Sequence, residues 1–288
     1  MQKSSAQAHN DALMELGYEF LNQCKEHSIP CFLWGGGAIY HFLGGRMDYR
    51  KMSDMEFLLP LKVDHEVQGL LEEMGFLPYK TFNNMQNQYD PKRREFYRPD
   101  RELSQTEVDS VFHGRKSNVE NAKFQKIELF VNGIRLCWTF KIKDLPSNYF
   151  ESLICPPGFQ IALKAHAIHP DDFDLKDIQD IARVVNSHQC EVGSTDTIFE
   201  GINPGQPGQY VIGKDIFEKV AARKLDFAGT LVRNLSEVLL HAGLTQNGKT
   251  KILEIIDFLK PLEEKDESLG FLSKVKKEKP VRVDARTR

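Results

Sequence analysis

The hydrophobic residues of the chain follow two spacings, and each spacing predicts one kind of secondary structure. Apolar residues three and four positions apart predict amphipathic helices over 10–26 and 63–74. Short apolar runs predict buried strands over 31–34 and 52–59, with a short helix over 38–43 between them. The first quarter of the chain therefore alternates helices with strands, which is typical of a sheet covered by helices.

The middle of the chain contains one clear strand pattern. Residues 124–131 alternate between apolar and polar side chains, and the Asn132-Gly133 pair that follows is typical of a tight turn. We therefore predict a hairpin in which 134–140 returns as the partner strand. The preceding segment, 80–122, is polar and has no sustained period, so we interpret it as a long loop or an insertion, with short strands over 79–82 and 95–98 as the alternative.

A composition change at the Cys-Pro-Pro-Gly sequence of 155–158 separates this region from one whose patterns are almost all helical. Helices are predicted over 159–167, 175–185, 214–222, 226–241 and 248–260. The sequence thus predicts an α+β fold, with a mixed sheet and flanking helices in residues 1–150 and a mostly helical domain in 151–272. Residues 273–288 are basic and poor in apolar side chains, so we expect a mobile tail.

Composition and charge exclude several classes of protein. Hydrophobic residues make up 41% of the 288 positions and charged residues 27%, which is typical of a globular protein. The net charge of -3 provides no overall basic field for binding nucleic acid. The five cysteines contain no C-x-x-C pair, which opposes a zinc ribbon or a secreted disulfide scaffold and favours a cytoplasmic location. No apolar run reaches the roughly 18 residues of a membrane span, and the polar N-terminal segment does not resemble a secretion signal.

The candidate chemistry lies in a glycine turn and an acidic strand. The sequence Phe-Leu-Trp-Gly-Gly-Gly-Ala at 32–38 indicates a strand, a turn and the start of a helix. Side chains two apart in a strand lie on the same face, so Asp54 and Glu56 share one face while Met55 and Phe57 point to the core. Two carboxylates beside a glycine turn suit divalent cations that bind a phosphate chain, which indicates phosphoryl or nucleotidyl transfer.

This pattern resembles the nucleotidyltransferase fold of the DNA polymerase beta superfamily. It consists of two glycines and an alanine, then an acid-x-acid strand, then a third acid on a separate strand: Gly35, Gly36, Ala38, Asp54, Glu56 and Glu128. The similarity is greatest to the minimal nucleotidyltransferase and AbiEii-type group, where an arginine and a Ser or Thr precede the acidic pair, as Arg46 and Ser53 do here. A second set of residues resembles the helices that follow the catalytic strands in that family. These residues are Leu163, Lys164, Ala167, Lys176, Asp177 and Asp180.

The resemblance implies that the chain moves a nucleoside monophosphate from an NTP, with ATP as the expected donor, to a hydroxyl acceptor. That acceptor is a small molecule, a protein side chain or an RNA end. The transfer requires Mg²⁺ or Mn²⁺, which Asp54 and Glu56 would hold, with Glu128 as the third ligand or as the base. The resemblance assigns nucleotide binding to Gly35, Gly36, Ser53 and Lys164.

Two alternatives stay open at this point. The first is a catalytically inactive nucleotidyltransferase-like binding module, such as a toxin or antitoxin component or an interaction protein. The second is an unrelated α/β domain whose acids are accidental, and it predicts that Asp54, Glu56 and Glu128 share no common face.

Overall fold

In the computed structural model of the chain, the described residues are 4–79, 92–131, 133–134, 140–141, 153–168, 175–196, 210–221, 227–241 and 243–275. They form a five-stranded mixed sheet, two sheets of two strands each, and helices that flank them. The α+β fold predicted from the sequence is confirmed. None of the helices within these ranges is both long and apolar enough to cross a membrane.

The first part of the chain contributes the five-stranded sheet and four helices. In chain order its elements are α1 (Ser5–Glu26), β1 (Phe32–Trp34), α2 (Gly35–Phe42), β2 (Met55–Leu59), α3 (Asp64–Glu73), β3 (Leu77–Tyr79), β4 (Lys92–Pro99), α4 (Gln105–Phe112) and β5 (Phe124–Val131). Helix α1 begins earlier than predicted, because the Ser4 hydroxyl accepts a hydrogen bond from the Gln7 backbone N–H and caps the helix. Helix α2 begins at Gly35 rather than at residue 38, so the glycines form its first turn.

The sheet has the order β1-β2-β5-β4-β3, in which β2 and β5 run parallel and the other neighbours run antiparallel. Its apolar face packs on α1. The Phe20 ring of α1 lies 4.7 Å from the Phe57 ring of β2, and Met55 is fully buried. The prediction that Met55 and Phe57 point into a core is therefore confirmed.

The predicted hairpin after β5 is wrong. Strand β5 lies in the middle of the sheet, between β2 and β4. Residues 133–134 (β6) pair instead with residues 140–141 (β7) in a separate two-stranded sheet. Asn132 and residues 135–139 lie outside the described residues. The Asn-Gly signal reports only local turn preference, whereas both partners of β5 are distant in sequence.

The prediction of a long loop over 80–122 is wrong for its described part, residues 92–122, whereas the alternative of a strand over 95–98 is confirmed within β4. Strand β4 pairs with β5 over its whole length and with β3 on its other side. Helix α4 follows, and the Ser104 and Glu107 side chains form a capping box at its start. Residues 80–91 lie outside the described residues.

The rest of the chain is mostly helical, as predicted. Its described elements are α5 (Pro157–Ala167), α6 (Leu175–Asn186), β8 (Cys190–Gly193), β9 (Tyr210–Gly213), α7 (Lys214–Ala221), α8 (Phe227–His241) and α9 (Gln246–Val275). The parallel pair β8–β9 was not predicted. Helix α9 continues to Val275, and residues 276–288 of the predicted tail lie outside the described residues.

One contiguous core joins the sheet to the helical region. Buried side chains from α1 through to α9 belong to a single cluster, and helices α5 and α6 both contact α2. Strand β1 also exchanges two backbone hydrogen bonds with the segment before α5, where the Leu33 N–H donates to Leu153 and the Cys155 N–H donates to Leu33. This packing places α5 beside the end of β1 and the first turn of α2.

Candidate functional site

A cleft of about 960 Å³ lies between the polar face of the sheet and helix α5. Its walls include all seven residues that the sequence pattern singled out: Gly35, Gly36, Ser53, Asp54, Glu56, Glu128 and Lys164. The alternative of an unrelated domain predicted no shared face for the three acids, and that prediction is wrong.

Strand register brings the acids together. Glu56 of β2 lies directly opposite Glu128 of β5 in the parallel pair, and Glu128 lies opposite Glu95 of β4 in the antiparallel pair. Directly opposite residues point to the same face of a sheet, so three glutamates form a row across three strands. Asp54 immediately precedes β2 and lines the same cleft. Glu95 is a fourth acid that the sequence pattern did not identify.

Gly35 is required where the backbone passes closest to Glu56. Its φ of 65° lies in the left-handed region, which glycine adopts without steric cost. A Cβ at this position would lie 1.6 Å from the Glu56 Oε2 atom. The absence of a side chain at residue 35 therefore makes the space that the Glu56 carboxyl occupies.

The backbone N–H groups of the glycine turn already have partners within the protein. The Gly35 N–H donates to Gln160 Oε1 of α5 at 3.0 Å. The Gly36 N–H faces the Glu56 carboxyl and acts to lower the pKa of that group. The first turn of α2 thus positions Glu56 and ties the sheet to α5.

Two cationic side chains neutralise part of the acidic row. The Lys126 ammonium lies 3.1 Å from Asp54 Oδ2 and 3.6 Å from Glu95 Oε1, and it also contacts Glu128 Oε1. The Arg93 guanidinium contacts the same Glu128 oxygen and lies 3.3 Å from Glu95 Oε1. Burial lowers the pKa of Lys126, but its contacts with Glu128 and Asp54 outweigh that effect and raise the pKa above its usual value. Lys126 therefore stays charged.

Glu56 differs from the other acids of the row. Among the described residues, neither Lys126 nor Arg93 forms an ion pair with it. Burial and the charge of Asp54 raise the pKa of Glu56 to about 7, although Lys164 acts in the opposite direction. In the absence of a bound cation, Glu56 is thus the carboxyl of the cleft whose negative charge is least compensated.

Lys164 is buried and paired rather than free. Its ammonium lies 2.6 Å from Asp177 Oδ1 and 2.7 Å from Asp180 Oδ2, two acids of α6. The Arg50 guanidinium binds the same Asp180 carboxylate through Nε at 2.9 Å and through a second nitrogen at 2.6 Å. This network attaches α5 and α6 to the segment before β2. Arg46, the arginine singled out by the resemblance, is exposed, and Arg50 lines the cleft instead.

Further donors in the cleft were not identified from the sequence. Trp34 Nε1 and Gln160 Nε2 are buried in the cleft wall, and neither has a hydrogen-bond partner among the described residues. Ser53 is exposed, and its hydroxyl donates to Asp54 Oδ1 at 2.8 Å. Buried unpaired donors are rare in folded proteins, and protein atoms enclose both of these nitrogens.

Hard oxygen donors suit Mg²⁺ or Mn²⁺, and the cleft supplies them. Asp54, Glu56, Glu95 and Glu128 carry four negative charges when ionised, and Lys126 and Arg93 carry two positive charges. Within this group of six side chains, the excess of two negative charges equals the charge of one divalent cation, and the cleft wall also contains the charged residues Arg50, Lys51, Lys164, Lys176 and Asp177. Within the described ranges, however, no group of three acidic, His or Cys side chains already has a metal-binding arrangement. The oxygens of Asp54 and Glu128 are turned towards Lys126 instead.

Comparisons with known proteins do not assign the chain to a family. No protein-family model matches it, and no curated protein matches it. Among solved structures, the crystal structure of JHP933 from Helicobacter pylori is similar, with 15% identity and a TM-score of 0.40 over 96% of this chain and 100% of that one. A similarity of this size carries no argument about function.

Proposed function

We propose that the chain is a metal-dependent nucleotidyltransferase that moves a nucleoside monophosphate from an NTP, ATP being the expected donor, to a hydroxyl acceptor. One observation carries the proposal: the carboxyl groups of Asp54, Glu56 and Glu128 come from two separate segments and line one cleft. The resemblance to the nucleotidyltransferase fold expects this convergence, and an accidental set of acids does not.

The cation would bind where oxygens remain available. Glu56 has no cationic side chain in contact with it among the described residues, and Glu128 has its Oε2 free of the contacts that Oε1 makes. Asp54 Oδ1 accepts a hydrogen bond from the Ser53 hydroxyl, which is exposed and would have to yield this oxygen to the cation. A cation held there supplies charge that stabilises the phosphates and lowers the pKa of the attacking hydroxyl.

The nucleotide would occupy the cleft opposite the acids. Lys51, Arg50 and Lys176 line this part of the wall and provide positive charge for a triphosphate. Lys164 acts through its ion pairs, because its ammonium is already bonded to two acids.

The acceptor hydroxyl oxygen forms a bond to the α-phosphorus, and the bond from that phosphorus to the bridging oxygen of the β-phosphate breaks. Pyrophosphate leaves, and the proton of the hydroxyl passes to a carboxylate of the row. The role of the protein is to align the hydroxyl with the breaking bond and to compensate the charge that develops.

The proposal is tested by incubating the full chain with α-labelled ATP and Mg²⁺ in the presence of three acceptor pools: aminoglycosides, total RNA and a protein extract. We expect label to enter one pool and pyrophosphate to be released. Glu56→Gln removes the charge with little change in shape, so both signals are expected to fall by about 100-fold or more. Glu66→Gln, on the exposed face of α3, is the matched control and is expected to behave as the unchanged chain does.

Equal rates for the unchanged chain and for a combined Asp54→Ala, Glu56→Ala variant would refute the proposal. Thermal unfolding of each variant shows whether it is folded. A signal lost in a folded variant is then a loss of chemistry rather than of structure.

The ion pairs of Lys126 and Arg93 favour a second candidate function, a catalytically inactive binding module. These two cations already contact three of the four acids and compensate two of their charges, which favours a cleft that is stable without a metal. Calorimetry distinguishes the two functions. The transferase is expected to bind ATP only with Mg²⁺ present, whereas the inactive module shows no Mg²⁺-dependent heat with ATP at millimolar concentrations.

A further inference from the structure

The ammonium of Lys126 lies where the carboxylates of Asp54, Glu95 and Glu128 converge. Asp54, Glu95 and Glu128 come from three different places in the sheet, and each has an oxygen within 4 Å of the Lys126 Nζ. Lys126 and Glu128 are two residues apart on β5, so their side chains rise from the same face. The side chain is only 18% exposed, which shows that protein atoms enclose it.

Two of these three partners are residues that the proposed function assigns to metal binding. In a site with two metal ions, the ions lie about 3.5–4 Å apart and share carboxylate ligands. An ammonium held between Asp54 and Glu128 occupies the space in which one such ion would share those ligands. Like charges at this distance repel strongly in a partly buried site, so an ammonium and a metal ion do not occupy the same space.

The remaining charge matches a single ion. Lys126 and Arg93 compensate two of the four negative charges, and the carboxyl left without a cationic partner among the described residues is Glu56. Glu56 is also the carboxyl against which the glycine turn packs. One divalent cation at Glu56 therefore balances the charge of this group of four acids and two cations.

We propose that the cleft binds one divalent cation, centred on Glu56, and that the Lys126 ammonium fills the position of a second. The inference rests on the proposed function, because it takes the acidic cluster as a metal site. Under this inference, Lys126 is a cation that the protein itself supplies to the site from β5, and no second ion is bound from solution.

The test counts Mn²⁺ ions bound to the full chain by electron paramagnetic resonance, alone and with a non-hydrolysable ATP analogue. The unchanged chain is expected to bind one ion and to give the spectrum of an isolated Mn²⁺. Lys126→Met removes the ammonium and is expected to bind two ions, whose short separation couples them magnetically, or to bind the first ion at least about tenfold more tightly. Lys126→Gln serves the same purpose if the Met variant does not fold.

Three control variants complete the design. Lys126→Arg keeps the charge and is expected to remain at one ion. Lys123→Met removes an exposed lysine just before β5 and is also expected to remain at one. Glu56→Gln is expected to bind no ion, because it removes the carboxylate on which the site is centred.

The outcomes separate this inference from the proposed function. Two coupled ions in the unchanged chain overturn the inference and leave the function standing. One ion in both the unchanged chain and the Lys126→Met variant, with equal affinity, also overturns it. No bound ion in any variant overturns the proposed function and the inference together.

Discussion

The glycine at position 35 allows the most direct test of how the fold builds the acidic cleft. Gly35→Ala introduces two separate costs. The first is the left-handed backbone, which costs an L-residue roughly 1–2 kcal/mol. The second is the collision of the new Cβ with the Glu56 carboxyl, from which it would be only 1.6 Å away. Overpacking of this kind costs about 1–3 kcal/mol, so the free energy of unfolding should fall by about 2–5 kcal/mol.

Two other glycines of the same chain separate these costs. Gly75 also has a positive φ, of 82°, but no atom lies within 4 Å of a Cβ built there. Gly75→Ala should therefore lower the free energy of unfolding by the strain alone, about 1–2 kcal/mol. Gly69 lies within α3 at an ordinary φ and also has nothing within 4 Å. Gly69→Ala should raise the stability by about 0.5–1 kcal/mol through helix propensity.

Urea unfolding of the three variants gives the free energies, and Mn²⁺ titration reports the site. Gly35→Ala is expected to weaken Mn²⁺ binding by at least about tenfold, because the Glu56 carboxyl must move. The other two variants are expected to bind Mn²⁺ as the unchanged chain does. The reasoning fails if Gly35→Ala is no less stable than Gly75→Ala, or if it binds Mn²⁺ with unchanged affinity.

Two further predictions concern buried charge. Asp180→Asn should lower the free energy of unfolding by about 3–5 kcal/mol, because it leaves the buried Lys164 and the partly buried Arg50 with one carboxylate fewer. The control is Asp257→Asn at an exposed ion pair, which should change the free energy of unfolding by less than about 1 kcal/mol when both variants are measured by urea unfolding. Burial lowers the pKa of His41 to about 4, below its value of about 6.5 in an unfolded chain. The unfolded chain therefore takes up a proton first, so the free energy of unfolding is at its full value above pH 6.5 and falls as the pH drops towards 4. The unchanged chain should therefore lose about 3 kcal/mol more than His41→Phe between pH 7 and pH 4, and parallel pH profiles of the two proteins would contradict this explanation.

Local patterns in the sequence were enough to predict most elements, because apolar spacing reflects which face of an element is buried. Strand β5 has the predicted bounds, and the helices of the second half begin and end close to their predicted positions, except that α9 continues to Val275 beyond its predicted end at residue 260. The partners of β5 were not predictable in this way. Its parallel neighbour β2 and antiparallel neighbour β4 are chosen by packing between distant segments, and neither choice leaves a periodic signal in the strand itself.

The same limit applies to the candidate site: residues set by a local pattern were predicted, and residues brought in by pairing between distant segments were not. The acid-x-acid spacing identified Asp54 and Glu56 because period two is a property of the strand alone. Glu95, Arg93 and Lys126 were missed because they approach the other acids only through the pairing of β4 with β5. The sequence offered a strand over 95–98 only as an alternative and gave no sign of its partner. Arg50 was missed because its partner Asp180 belongs to a helix 130 positions away in sequence.

The geometry of the sheet also explains why the cleft needs internal cations. Residues directly opposite one another on neighbouring strands lie about 4.5–5.5 Å apart, so the row of Glu56, Glu128 and Glu95 places like charges side by side, an arrangement that destabilises a sheet. Lys126 and Arg93 compensate two of these charges from the same face and allow the row to form before any ligand arrives. Glu56 alone keeps its excess charge, at the position that the glycine turn holds open. The two candidate functions therefore share one architecture, and they differ in whether a divalent cation binds at Glu56.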